Sequence, residues 1–130
     1  MLTQARPAEA ITLTVLVVDD QPLTLTLTAR MLRTLGYAVL TTDAPLSAID
    51  LAQGGARIDC VLTDLTMPGM SGQELARRLR GITPDGPVVF MSGYPEDLSD
   101  AAGAEGRTIH LDKPFSRSAL DKAVREAIGR

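Results

Sequence analysis

A second cysteine is missing from this sequence, and with it any internal disulfide framework. The single thiol, Cys60, lies inside an apolar run, so core packing is expected of it rather than a reactive role. A lone cysteine also suits a reducing cytoplasm, where we expect the chain to work. Long hydrophobic runs are lacking, which argues against a membrane span. The first residues lack the basic start and apolar middle of a signal peptide. An excess of positive charge is lacking too. Thirteen Lys and Arg stand against 16 Asp and Glu, a net charge of −3, so no basic surface speaks for nucleic acid or an anionic membrane. What remains is an ordinary globular composition, 45% hydrophobic and 22% charged, over 130 residues. That length suits one domain with a proper core.

Along the chain, residues 1–12 carry no convincing period and read as a flexible lead-in, leaving 13–130 as the domain. Leu13 to Val18 is nearly continuous apolar, a buried strand ending on Asp19-Asp20. Pro22 is a favoured first helical residue, and Gly36 a favoured residue past a helix end. Between them, Leu23-Thr24-Leu25-Thr26-Leu27-Thr28 alternates like a strand, yet Leu23, Leu27, Met31 and Leu35 form a helical stripe. Length and the flanking signals decide for a helix. Ala38 to Thr41 reads as a second strand. Asp43 is the expected cap of the next helix, with Pro45 in its first turn and Gly54-Gly55 at its end. Ile58 to Thr63 is the third strand, followed by Asp64 and the turn Met67-Pro68-Gly69. Ser71 and Glu74 have capping-box spacing, so a helix should run to about Arg80 with Leu75 and Leu79 inward. Val88 to Met91 forms a fourth strand that delivers Ser92. A short helix is expected near Pro95 to Ala102. Thr108 to Leu111 is a fifth strand. Ser116 caps the last helix, with Phe115 stapled on Leu120 and a stripe of Leu120, Val124 and Ile128.

Strands alternating with helices predict an α/β fold: one doubly wound, five-stranded parallel sheet with right-handed crossovers and helices on both faces. In such sheets, ligands gather beyond the carboxyl ends of the strands. Asp19 and Asp20, Asp64, Ser92 and Lys113 all fall there, from four separate segments. Three carboxylates held together repel unless a cation sits among them, and all-oxygen ligation with room for water suits Mg²⁺ better than zinc or copper. A carboxylate can also attack phosphorus to give an aspartyl phosphate, a transfer that needs mostly positioning and charge neutralisation. The set makes sense as a phosphoryl acceptor.

Four blocks carry a family resemblance: Val-Val-Asp19-Asp20, Leu-Thr-Asp64-Leu-Thr-Met-Pro-Gly-Met-Ser-Gly, Met-Ser92-Gly-Tyr and Asp-Lys113-Pro-Phe. In order and spacing they resemble the CheY-like receiver domain of two-component response regulators, over roughly residues 13 to 129. The resemblance implies a flavodoxin-like (βα)5 fold with strand order 2-1-3-4-5. It implies that Asp64 accepts a phosphoryl group from the phosphohistidine of a histidine kinase or histidine phosphotransfer protein. Asp20, Asp64 and the backbone carbonyl of Thr66 would bind Mg²⁺ directly, and Asp19 mainly through water. Ser92 and Lys113 would contact the phosphoryl oxygens, and the Lys113-Pro114 bond would be cis. Thr66 and Tyr94 would border the path of hydrolytic water, the bulk of Tyr94 slowing autodephosphorylation. Such a chain is a signalling receiver rather than an enzyme, catalysing only its own phosphorylation and dephosphorylation.

One departure stands out. Where the family usually carries an aromatic switch residue, three positions before the lysine, this chain has His110, its single histidine. It is either a half-exposed strand residue without special duty or a substitute switch able to titrate near neutral pH. Two other classes compete with the receiver. A haloacid dehalogenase-like phosphatase needs an acid two residues beyond its nucleophile, where Thr66 stands. A phosphorylation-independent binding scaffold would not need the full set of acids, hydroxyl and amine found here. Output is expected through a downstream protein target, either as a stand-alone regulator or as the receiver of a hybrid histidine kinase, with no DNA-binding segment after the last helix. The family's usual partner and homodimer face would be built from the helix near Pro95, the fifth strand and the last helix, with Asp97, Asp100, Arg107, Arg117 and Arg125.

Overall fold

The computed structural model describes residues 11–93 and 108–129. Five strands, β1 (Thr14–Val18), β2 (Ala38–Thr42), β3 (Cys60–Asp64), β4 (Val88–Ser92) and β5 (Thr108–Asp112), form one sheet in the order β2-β1-β3-β4-β5. Every neighbouring pair is parallel, so all five carboxyl ends lie along one edge. The described helices are α1 (Pro22–Thr34), α2 (Pro45–Gln53), α3 (Gly72–Ile82) and α4 (Arg117–Ile128). The helix expected near Pro95 to Ala102 and nearly all of the lead-in lie outside the described residues; Ile11 and Thr12 are neither helix nor strand.

The two faces of the sheet hold separate cores, as the alternation of side chains along a strand requires. Val15, Val17, Cys60 and Leu62 face Leu32 of α1 and Leu120 and Val124 of α4. Leu16, Val18, Val61 and Phe90 face Ala48 of α2 and Leu75 and Leu79 of α3. The central strands β3 and β4 are buried throughout, which is why they read as unbroken apolar runs. Cys60 belongs to this core, and burial pushes its thiol up to about 12, so it is inert as a nucleophile.

Helix ends follow the sequence signals with one exception. The α1 terminus closes in a Schellman turn: Gly36 takes φ +99°, its amide donates to the Arg33 carbonyl at 3.0 Å, and the Tyr37 amide donates to Leu32 at 3.1 Å. Ser71 and Ser116 cap α3 and α4, each accepting from the amide three residues on at 3.1 Å. Phe115 packs against the cluster that contains Leu120. Asp43, however, does not cap α2. The cap position is Ala44, whose amide donates to the Thr42 hydroxyl at 3.2 Å, and Pro45 opens the helix. Asp43 stands one residue before the cap position, and α2 begins without a side-chain cap, Pro45 having no amide hydrogen to satisfy.

The stripe expected on α1 is also turned. Leu23 and Leu27 are 71% and 44% exposed, and the buried line runs through Thr28, Ala29 and Leu32 with Leu25 and Met31 beside it. Leu25 and Leu32 face the sheet with the small side chains of Thr28 and Ala29, and Leu23 and Leu27 are rotated outward. Removing the Ser116 hydroxyl (Ser116→Ala) is expected to cost about 1 kcal/mol, against less than about 0.5 kcal/mol for Asp43→Ala, as read from chemical denaturation midpoints.

Candidate functional site

Two strands bring three acids to one point. The ligand oxygens of Asp19, Asp20 and Asp64 lie within 4.8 Å of one another, Asp19 and Asp64 buried and Asp20 half-buried. Asp64 closes β3, the pair follows β1, and these strands are neighbours in the sheet, so adjacency of β1 and β3 creates the cluster. Lys113 enters from the end of β5, two strands away. Its ammonium lies 2.8 Å from Asp64 Oδ1 and 3.3 Å from Asp19 Oδ2. The second Asp19 oxygen accepts the Gln21 amide at 3.0 Å. Lys113 is itself anchored, since its amide donates to the Ser92 carbonyl at 2.8 Å and its peptide bond to Pro114 is cis.

Electrostatics follow from that crowding. Burial and the charge of Asp19 raise the Asp64 carboxyl to about 6, although Lys113 pulls in the other direction. Burial works against the Lys113 charge, yet the hydrogen bond to Asp64 and the two nearby carboxylates hold its pKa above the usual lysine value. The acids and the lysine therefore form one unit whose charge balance a metal or phosphoryl ligand would change.

These residues border an open cleft of about 640 Å³ lined by Asp20, Asp64, Thr66, Ser92 and Lys113. Of the five residues that the sequence places at strand ends, Asp20, Asp64, Ser92 and Lys113 line the cleft, and Asp19 is buried against Asp20, Asp64 and Lys113. Thr66 is exposed on the wall that Met67 and Pro68 continue, and Ser92 is 4% exposed at its base. His110 does not join them: it is exposed on β5 with its ring stacked on Phe90, centroids 6.1 Å apart. Tyr94, Asp97, Asp100 and Arg107 lie outside the described residues. Sequence reasoning missed Gln21 and Thr24, which complete the rim at the start of α1. Their position directly after the acidic pair was the available signal.

The carboxylates suit a hard cation: three oxygen donors converge, and no histidine or thiol is among them. The comparisons with known proteins agree with this geometry. The model of the response regulator receiver domain matches residues 15–125, and the chain belongs to that family. It is 34% identical over 117 residues to the sensor kinase CckA of Brucella abortus, covering 88% of this chain and 12% of that protein. It is 36% identical over 137 residues to the virulence sensor protein BvgS of Bordetella pertussis, covering 98% of this chain and 11% of that protein. The chain thus spans about an eighth or less of the length of these relatives.

Among solved structures, a response regulator receiver domain protein from Clostridium thermocellum superposes with a TM-score of 0.82 at 31% identity, covering 91% of this chain and 95% of that one. The receiver domain of the sensor histidine kinase PA1611 from Pseudomonas aeruginosa superposes with a TM-score of 0.81 at 27% identity, covering 92% of this chain and all of that one; it holds a magnesium ion in its active-site cleft. The Asp19, Asp20 and Asp64 pocket is typical of the family's phosphoacceptor site, in a module that is generally non-enzymatic. No helix among the described residues is long and apolar enough to cross a membrane.

The raised Asp64 carboxyl has a consequence for stability. A carboxyl whose folded pKa exceeds its unfolded value of 3.8 binds its proton more tightly in the native state. Its contribution is fully present below pH 3.8 and is lost as pH rises through about 6. Asp64→Asn, which carries no charge, should therefore melt a few degrees higher than the parent at pH 7 in the absence of divalent metal. That difference should shrink steadily as the pH is lowered toward 4, as followed by thermal melting.

Proposed function

We propose that this chain is the phosphoacceptor of a two-component phosphorelay, with Asp64 taking a phosphoryl group from the phosphohistidine of a histidine kinase or histidine phosphotransfer protein. An Asp64 oxygen attacks phosphorus, the P–N bond to the partner imidazole breaks with its electron pair on nitrogen, and an aspartyl phosphate remains. The observation that carries this reading is the 2.8 Å pair of Asp64 with Lys113 inside the three-acid cleft. The lysine that now balances Asp64 has a charge suited to a phosphoryl oxygen once the carboxylate has been esterified. Ser92, at the base of the same cleft, is the hydrogen-bond donor for a second oxygen.

Mg²⁺ is the cofactor that fits the donors, and when bound it would neutralise the acids and the phosphoryl oxygens together. Asp20, Asp64 and the Thr66 backbone carbonyl are the direct ligands in this reading. Asp19 is the indirect one, since both of its oxygens already serve protein donors, the Gln21 amide and the Lys113 ammonium. Leu23 and Leu27 leave apolar side chains exposed on the helix whose Thr24 lines the cleft, surface suited to a protein donor. The output is a switched contact with a downstream protein, in the cytoplasm where phosphorelays run. Residues 13–130 act as one receiver unit, and hybrid-kinase relatives such as CckA favour a place within a longer sensor protein. Thr66 and Tyr94 border the water path that sets the phosphoryl lifetime, and the homodimer face includes Arg117 and Arg125 of α4.

Incubation with acetyl phosphate and Mg²⁺ should add one phosphoryl group, detected as an 80 Da gain by intact mass on the order expected for PO₃H. Asp64→Asn should stay unmodified, and no small phosphate ester should be turned over; labelling of Asp64→Asn would overturn the assignment. For His110 we propose the switch role. Its ring resonances should move when beryllofluoride occupies the cleft, because the Phe90 ring it stacks on lies two residues before Ser92. An unmoved ring would remove His110 from the switch.

A further inference from the structure

Thr63 is fully buried in β3, immediately before the acceptor acid. Valine fills the same volume and suits a strand equally well, so a hydroxyl at such a position is a cost unless it is bonded. It is bonded: Thr63 Oγ1 donates to the backbone carbonyl of Asp64 at 3.0 Å. Alternation along β3 puts Thr63 on the same face as Val61, the face covered by Leu75 and Ala76 of α3. From that side the start of α3 closes over the same peptide. Gly72 is buried there, and a Cβ on it would collide with the Asp64 carbonyl oxygen. Its amide donates to the Leu65 carbonyl at 2.8 Å, and the Leu65 amide in turn donates to Met91 at 3.0 Å.

The peptide that leaves Asp64 is thus held from three directions, and Thr66 follows it directly. We propose that Thr63 is a positioning residue for the phosphoacceptor site. Its buried hydroxyl, with the bare Gly72 packed against the same carbonyl, fixes the 64–65 peptide and so sets where the Asp64 carboxylate and the Thr66 carbonyl stand relative to a cation. The proposal rests on the phosphoacceptor reading above, and it concerns a residue that touches neither metal nor phosphoryl group. The hydroxyl acts through backbone geometry, so its loss changes ligand placement without changing the donor set.

The test compares Thr63→Val, which keeps the shape and deletes the hydroxyl, with Thr63→Ser, which keeps the hydroxyl. Mg²⁺ affinity is read by calorimetry, and the amide shifts of Leu65, Thr66 and Gly72 are read in metal-free protein. Thr63→Val should bind Mg²⁺ roughly three- to tenfold more weakly and shift those amides, whereas Thr63→Ser stays within about twofold of the parent. Equal Mg²⁺ affinity in Thr63→Val and parent overturns the proposal, as does an equal loss in both variants, which would make the methyl packing the cause. If Thr63→Val fails to fold, Gly72→Ala displaces the same carbonyl by direct collision, and a folded Gly72→Ala with parental affinity overturns the proposal. Failure of the parent chain to bind Mg²⁺ or accept a phosphoryl group from acetyl phosphate would instead strike the underlying reading.

Discussion

Two carboxylates buried side by side are unstable without a compensating charge, and the ammonium of Lys113 supplies it by touching Asp64 and Asp19 at once. The fold can be understood as the means of bringing these groups together. The lysine comes from the edge strand β5, and the bond from its amide to the Ser92 carbonyl ties its backbone to the end of β4. The crossing connections of a parallel sheet are what allow residues 94 positions apart to meet within hydrogen-bond distance.

Because the unit is electrostatic and tightly spaced, small displacements matter. Burial raises the Asp64 carboxyl to about 6. Its partner is a lysine held charged by the same acids. Charge added at the cleft by a ligand is therefore felt at the end of β5 and at the end of β4 together, since Lys113 is attached to both. This gives a physical route from chemistry at Asp64 to the outer strand without any large movement of the core.

The sheet was legible in the sequence because its central strands carry unbroken apolar runs and its turns carry Pro and Gly. The site was legible because strand ends in a parallel sheet share an edge, so the positions of Asp19, Asp20, Asp64, Ser92 and Lys113 in the sequence already place them together. Details that depend on rotation or on a single residue of register were not. On α1, three leucines alternate with threonines, and the sequence pattern does not reveal that the small pair Thr28 and Ala29 chooses the inward face. At α2, Asp43 has the right chemistry but stands one residue before the cap position, which Ala44 holds without a side-chain cap. Gln21 and Thr24 escaped because nothing in their chemistry distinguishes a rim residue from an ordinary first-turn residue.

Cys60 has a practical side. The native thiol is sealed between β1 and β4 with its proton held up to about 12, so alkylating reagents find no thiolate there while the fold is intact. A single cysteine engineered onto the surface would then react alone with a maleimide dye. Fluorescent reporters can be attached at chosen points on this molecule without first mutating its own sulfur away.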